Sequence, residues 1–130
     1  MHKLLLIEDY PVISVMYAKV LKENGFSVDT VQDGEQALEK VKQTNYDIIL
    51  LDMLLPKVNG MEFLKKFKDH GKTKVVALSD FDYKETVKQA FELGIDKFWL
   101  KVDNTPHVLV KKLEVLLKEP SERHDNLLTQ

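Results

Sequence analysis

There is no cysteine anywhere in the chain. Disulfides, thiolate zinc sites and cysteine nucleophiles are thereby excluded, and the absence suits a reducing compartment. No run approaches the ~18 consecutive apolar residues of a membrane span. The apolar segment Leu4-Leu5-Leu6-Ile7 near the start is too short for a signal peptide and stops at Glu8-Asp9. A cytoplasmic protein with no membrane partner is the expectation. Charge of one sign is missing too: 19 Lys/Arg stand against 21 Asp/Glu, a formal net charge of -2, so no basic field is available to hold nucleic acid. Glycine and proline are few, five and four, and they gather into no linker or low-complexity segment. What is present is 130 residues, 44% hydrophobic and 31% charged. One core can bury roughly two-thirds of the surface exposed by an unfolded chain of this length, so a single domain is expected.

Short apolar runs alternate with longer amphipathic stretches. Leu4–Ile7 and Ile48–Leu51 are continuously apolar, the pattern of parallel strands buried on both faces. Phe26–Val31, Lys74–Leu78 and Lys97–Leu100 read as three further strands. Between them run helical stripes: Ile13, Met16, Tyr17, Val20 and Leu21 after Pro11; Ala37, Leu38 and Val41 after Asp33-Gly34; Phe63, Leu64 and Phe67 after Gly60; Val87, Ala90 and Phe91; and Val110, Leu113 and Leu117 after Thr105-Pro106, a cap and first helical residue. Gly25 and Gly94 stand where helices would end. Five strands alternating with five helices predict a doubly wound α/β domain with a parallel sheet. Residues 1–118 make up this domain, and 119–130, which lose apolar periodicity, read as a polar tail or the start of a linker.

In such sheets ligands bind beyond the carboxyl ends of the strands. Glu8 and Asp9 follow the first strand, Asp52 the third, Ser79 and Asp80 the fourth, and Lys101 the fifth. Singly, each has an ordinary explanation as a cap, a solvated loop acid or a snorkelling lysine. Jointly, they bring three carboxylates, a hydroxyl and an ammonium to one rim. Carboxylates crowded together call for a cation, and an open oxygen-only site suits Mg²⁺. A nucleophilic carboxylate beside such a metal, with Lys101 to neutralise phosphoryl oxygens and Ser79 to donate to another, is a phosphoryl-transfer arrangement. His2, His70, His107 and His124 lack ligand spacing, and the Lys65-Lys66 and Lys111-Lys112 pairs read as solvated helix faces.

At these residues the chain resembles the response-regulator receiver domains of bacterial two-component signalling, those of the chemotaxis-regulator type among them. Glu8-Asp9 resembles the family's acidic pair, Leu50 to Pro56 with Asn59-Gly60 its phosphoacceptor segment, Ala77-Leu78-Ser79 its switch segment, Phe98 its aromatic switch position and Lys101 its lysine. The resemblance runs from Lys3 to about Leu117 and implies a flavodoxin-like domain with the parallel sheet in order 2-1-3-4-5. It implies phosphorylation of Asp52 by a histidine kinase or phosphotransfer protein, with Mg²⁺ held by Asp9, Asp52 and the Leu54 backbone carbonyl, and Glu8 acting through water. It further implies a phosphorylation-dependent switch through Ser79 and Phe98 that presents a protein-binding face to an output protein or effector domain. The phosphoryl transfer and hydrolysis would be self-catalysed, so the domain would not be a conventional enzyme.

Three departures accompany the resemblance. Val102 stands after the lysine where the family usually has a proline with a cis peptide, so a trans peptide is expected here. Asp80 follows the switch serine in place of a small residue and is expected to repel anionic phospho-donors. Lys97 occupies the place of an acid that one DNA-binding subfamily uses in its dimer, so that dimer is not expected. The competing readings are a receiver-like module that binds without phosphorylation, a haloacid-dehalogenase-type phosphatase and a flavodoxin-like FMN module. The phosphatase needs a second Asp where Leu54 stands, and an FMN phosphate would meet Glu8-Asp9 instead of a Ser/Thr/Gly-rich loop.

Overall fold

In the computed structural model, which describes residues 1–54, 58–67 and 71–120, the continuous apolar runs become the inner strands of one sheet. β1 (Lys3–Ile7) pairs with β2 (Ser27–Val31) on one side and with β3 (Ile48–Asp52) on the other. β4 (Lys74–Ser79) and β5 (Lys97–Leu100) continue beyond β3. The order is β2-β1-β3-β4-β5, the one the family resemblance implies, and all pairings are parallel, as the strand and helix alternation predicts. The helices among the described residues are α1 (Pro11–Glu23), α2 (Gly34–Gln43), α3 (Gly60–Lys66), α4 (Lys84–Glu92) and α5 (Pro106–Lys118), with a 3-10 turn over Lys101–Asp103 between β5 and α5. Leu55 and Pro56 of the phosphoacceptor-like segment, His70, and the tail from residue 121 with His124 lie outside the described residues.

Strand alternation divides the core into two layers. Leu4, Leu6, Ile48, Leu50, Val76 and Leu78 pack with α1 and α5. Leu5, Ile7, Ile49, Leu51, Val75 and Ala77 pack with α2, α3 and α4. Burial on both faces is why β1, β3 and β4 tolerate no polar alternation, and it draws the strand ends into a rigid rim. The side chains of Asp33 and Asn59 cap α2 and α3, accepting from the Gln36 N–H at 2.8 Å and the Glu62 N–H at 3.0 Å. Lys74, the first residue of β4, is buried, and its ammonium donates to the Leu116 carbonyl at 2.7 Å and to that of Glu119, closing the end of α5.

Several local expectations are revised. Phe26 is buried but precedes β2, and Thr105 makes no side-chain cap to α5, although Pro106 opens that helix as expected. Phe67 ends α3 and stacks on Phe63 with centroids 5.4 Å apart. Met16 and Phe91, read as inward, are 44% and 45% exposed. In α1, Tyr17, Ala18 and Leu21 take the inward face, and Met16 is turned ~100° from Tyr17 about the helix axis. Phe91 lies on α4 over β5, the last strand of the sheet, so no further strand covers it.

Candidate functional site

The rim at the carboxyl ends of β1, β3 and β5 collects the acidic and basic residues singled out in the sequence. Asp52 is the last residue of β3 and Glu8 follows β1; both are buried. Lys101 begins the turn after β5 and reaches back between them. Its Nζ lies 2.8 Å from Glu8 Oε1 and 3.2 Å from Asp52 Oδ2. The other Asp52 oxygen, Oδ1, accepts from the Leu54 backbone N–H at 2.9 Å. Asp9 is exposed at the mouth, and one ligand atom from each of Glu8, Asp9 and Asp52 falls within 4.8 Å of the others. Such a trio of oxygens can hold a metal ion.

Two conflicting demands shape the electrostatics. Burial, reinforced by the hydrogen bonding and charge of the adjacent Glu8, pushes the Asp52 carboxyl from its ordinary 3.8 to about 7, against the opposing pull of the Leu54 N–H and the Lys101 charge. Burial alone would lower the Lys101 ammonium, yet the contacts with Glu8 and Asp52 outweigh it and hold the value above the ordinary one. One cation thus serves two buried carboxylates, leaving the cluster short of positive charge. Glu8 Oε2 is buried with no hydrogen-bond partner. That orphan oxygen and the raised Asp52 value both fit residues arranged around a further cation.

The switch residues sit on the other face of the sheet from the Asp52 side chain. By strand alternation Ser79 and Phe98 fall on the face shared with α4, whereas Asp52 falls on the face of α1 and α5. The Ser79 hydroxyl accepts from the Phe81 N–H at 3.3 Å. Phe98 is half-buried beside a shallow cavity of about 350 Å³ lined also by Val87 and Phe91. Leu54 is 63% exposed. Asp80 is exposed, and its charge reaches the buried Tyr17 phenol, as do those of Glu8 and Lys101. The Lys101–Val102 peptide is trans, as expected where proline is absent.

Two residues of the site region, Tyr17 and Asn104, were given no role at the site in the sequence reading. Asn104, 1% exposed, closes the turn behind Lys101, and the Tyr17 hydroxyl donates to its backbone carbonyl at 2.8 Å. The only signal available was a phenol within an otherwise apolar helix stripe, since a buried Tyr O–H needs an acceptor.

Comparison with known proteins shows the family of the chain. The family model "Response regulator receiver domain" matches residues 4–114. "Transcriptional regulatory protein ResD" of Bacillus subtilis is 27% identical over 120 residues, which span 92% of this chain and 50% of ResD. "Protein RcaC" of Microchaete diplosiphon is 32% identical over 128 residues, 98% of this chain and 20% of RcaC. The chain thus spans half or less of the length of these relatives. Among solved structures, chemotaxis response regulator CheY4 of Vibrio cholerae superposes with a TM-score of 0.80 at 27% identity, covering 88% of this chain and 97% of CheY4. The chain belongs to the response regulator receiver domain family, the phosphorylation-dependent signalling module of two-component systems.

Proposed function

We propose that the domain accepts a phosphoryl group on Asp52 from a histidine kinase or phosphotransfer protein and passes the change to a protein partner. The observation that carries this reading is the Lys101 ammonium held between Glu8 and Asp52 at 2.8 and 3.2 Å. A carboxylate oxygen of Asp52 attacks the donor's phosphorus, the donor's leaving group departs, and an acyl phosphate forms. Lys101 is already at hydrogen-bond distance from the nucleophile, where it can offset the charge of the incoming oxygens. Water later attacks the same phosphorus and releases inorganic phosphate, which restores the carboxylate. Asp9, Asp52 and the Leu54 carbonyl would hold Mg²⁺ directly, with Glu8 acting through water; this set agrees with the three clustered carboxylates and the unpartnered Glu8 oxygen. Bound there, the ion supplies charge that keeps Asp52 ionised at neutral pH, against the burial that raises it to about 7.

For the output we propose that the phosphoryl group draws the Ser79 hydroxyl away from the Phe81 N–H, and that Phe98 moves into the space vacated behind β4. The face made by α4, β5 and α5 is then remodelled for a protein partner. Among the described residues no helix is long and apolar enough to cross a membrane. Intact-mass measurement after incubation with acetyl phosphate and Mg²⁺ tests the acceptor: one phosphoryl adduct is expected, absent in Asp52→Asn. A persistent adduct in that variant refutes the assignment.

A further inference from the structure

Lys101 stands on a turn, and a turn by itself does not aim a side chain between two buried acids. Here both peptide groups flanking the Lys101 α-carbon end on the same residue. The Leu100 carbonyl accepts from Asn104 Nδ2 at 2.7 Å, and the Lys101 carbonyl accepts from the Asn104 backbone N–H at 3.1 Å. Asn104 is in turn tied to another element, because the Tyr17 hydroxyl of α1 donates to its backbone carbonyl at 2.8 Å. Tyr17 is 4% exposed and its ring packs in the core between the sheet, α1 and α5. The Asn104 carboxamide pays for its orientation, since Oδ1 is left buried and without a partner. A buried orphan oxygen is costly, and the donation to the Leu100 carbonyl is the contact that offsets this cost.

We propose that Tyr17 and Asn104 are positioning residues that aim the Lys101 ammonium at Glu8 and Asp52. The chain of contacts runs from α1 through the phenol, through Asn104 to the backbone on both sides of Lys101, and ends at the two carboxylates. It supports the lysine in a turn whose next residue, Val102, is 81% exposed and packs against little. The consequence for phosphoryl transfer rests on the Asp52 acceptor reading; the placement of the ammonium does not.

Two readouts on the full chain test this. The first is the side-chain NH₃⁺ NMR signal of Lys101, identified by its loss in Lys101→Arg. A half-buried, doubly hydrogen-bonded ammonium gives a sharp, slowly exchanging signal, expected to broaden beyond detection in Tyr17→Phe and in Asn104→Leu. The second is the rate of Asp52 phosphorylation by acetyl phosphate with Mg²⁺. Tyr17→Phe should lower it about tenfold, the scale of a small misplacement of a reacting group, and the same substitution in a Lys101→Ala background should change nothing further. Tyr17→Phe keeps the ring and its packing, so it carries the test if Asn104→Leu does not fold. An unchanged Lys101 signal in both variants, a wild-type signal as broad as those of surface lysines, or an equal fold-loss in the two Lys101 backgrounds overturns the proposal. A wild-type protein that takes up no phosphoryl group defeats the acceptor reading instead, and the NMR signal alone then decides the positioning role.

Discussion

Asp52→Asn should make the protein more stable at alkaline pH in the absence of metal, although it removes the residue on which function depends. The folded-state carboxyl titrates near 7 and its ordinary value is 3.8. Folded protein therefore holds this proton more tightly than unfolded protein, and stability falls as pH rises from about 4 through about 7. Three units correspond to about 4 kcal/mol at full ionisation. At pH 5 the unfolded carboxyl is already ionised and part of that cost is in place, so about 2 kcal/mol is the difference to expect between pH 5 and pH 8.5. Asparagine carries no charge and escapes this loss; its carboxamide oxygen can still accept from the Leu54 N–H, while one contact to Lys101 is given up at about 1 kcal/mol. Urea unfolding in chelator should thus give curves that diverge with pH, the variant gaining about 2 kcal/mol on the wild type across that range. Added Mg²⁺ should close most of the gap by stabilising only the wild type. Parallel stability curves from pH 5 to 8.5 would show that Asp52 is not destabilised by burial beside Glu8, and the electrostatic account of the site would fail.

Mg²⁺ should bind without any phospho-donor, because it relieves three clustered carboxylates; calorimetric titration should show binding that Asp9→Asn abolishes, and equal affinity in the variant places the ion elsewhere. Asp80→Ala should react faster with acetyl phosphate, and the gain should shrink as salt rises, because an exposed carboxylate near the mouth repels a small anion; an unchanged or slower rate refutes this role. Gly34→Ala should destabilise the fold by roughly 1–3 kcal/mol, since a Cβ there would meet the Val58 carbonyl oxygen at 2.0 Å. The contact must outweigh the helix propensity that alanine adds, up to about 1 kcal/mol, so a variant as stable as the wild type in urea refutes that packing.

The parallel sheet was legible in the sequence because the responsible signals are local, whereas its strand order came only with the family resemblance. Leu4–Ile7 and Ile48–Leu51 are apolar at every position, which only burial on both faces explains, and short loops between helices and strands leave few ways to connect them. The placing of Glu8, Asp52 and Lys101 at one rim followed from the same source, since each comes immediately after a strand. Tertiary structure decided which groups touch. Glu8 and Lys101 are 93 positions apart, and no period or motif states that one ammonium bridges two acids or that Asp52 is raised to about 7. Those depend on the depth of burial, a property of the assembled sheet and helices. The same holds for Met16 and Phe91, whose periodicity pointed inward while the fold left nothing to cover them. It holds most for Tyr17 and Asn104, 87 positions apart: hydrogen bonds act over about 3 Å, and only the packed chain brings a phenol on the first helix to the turn that carries the lysine.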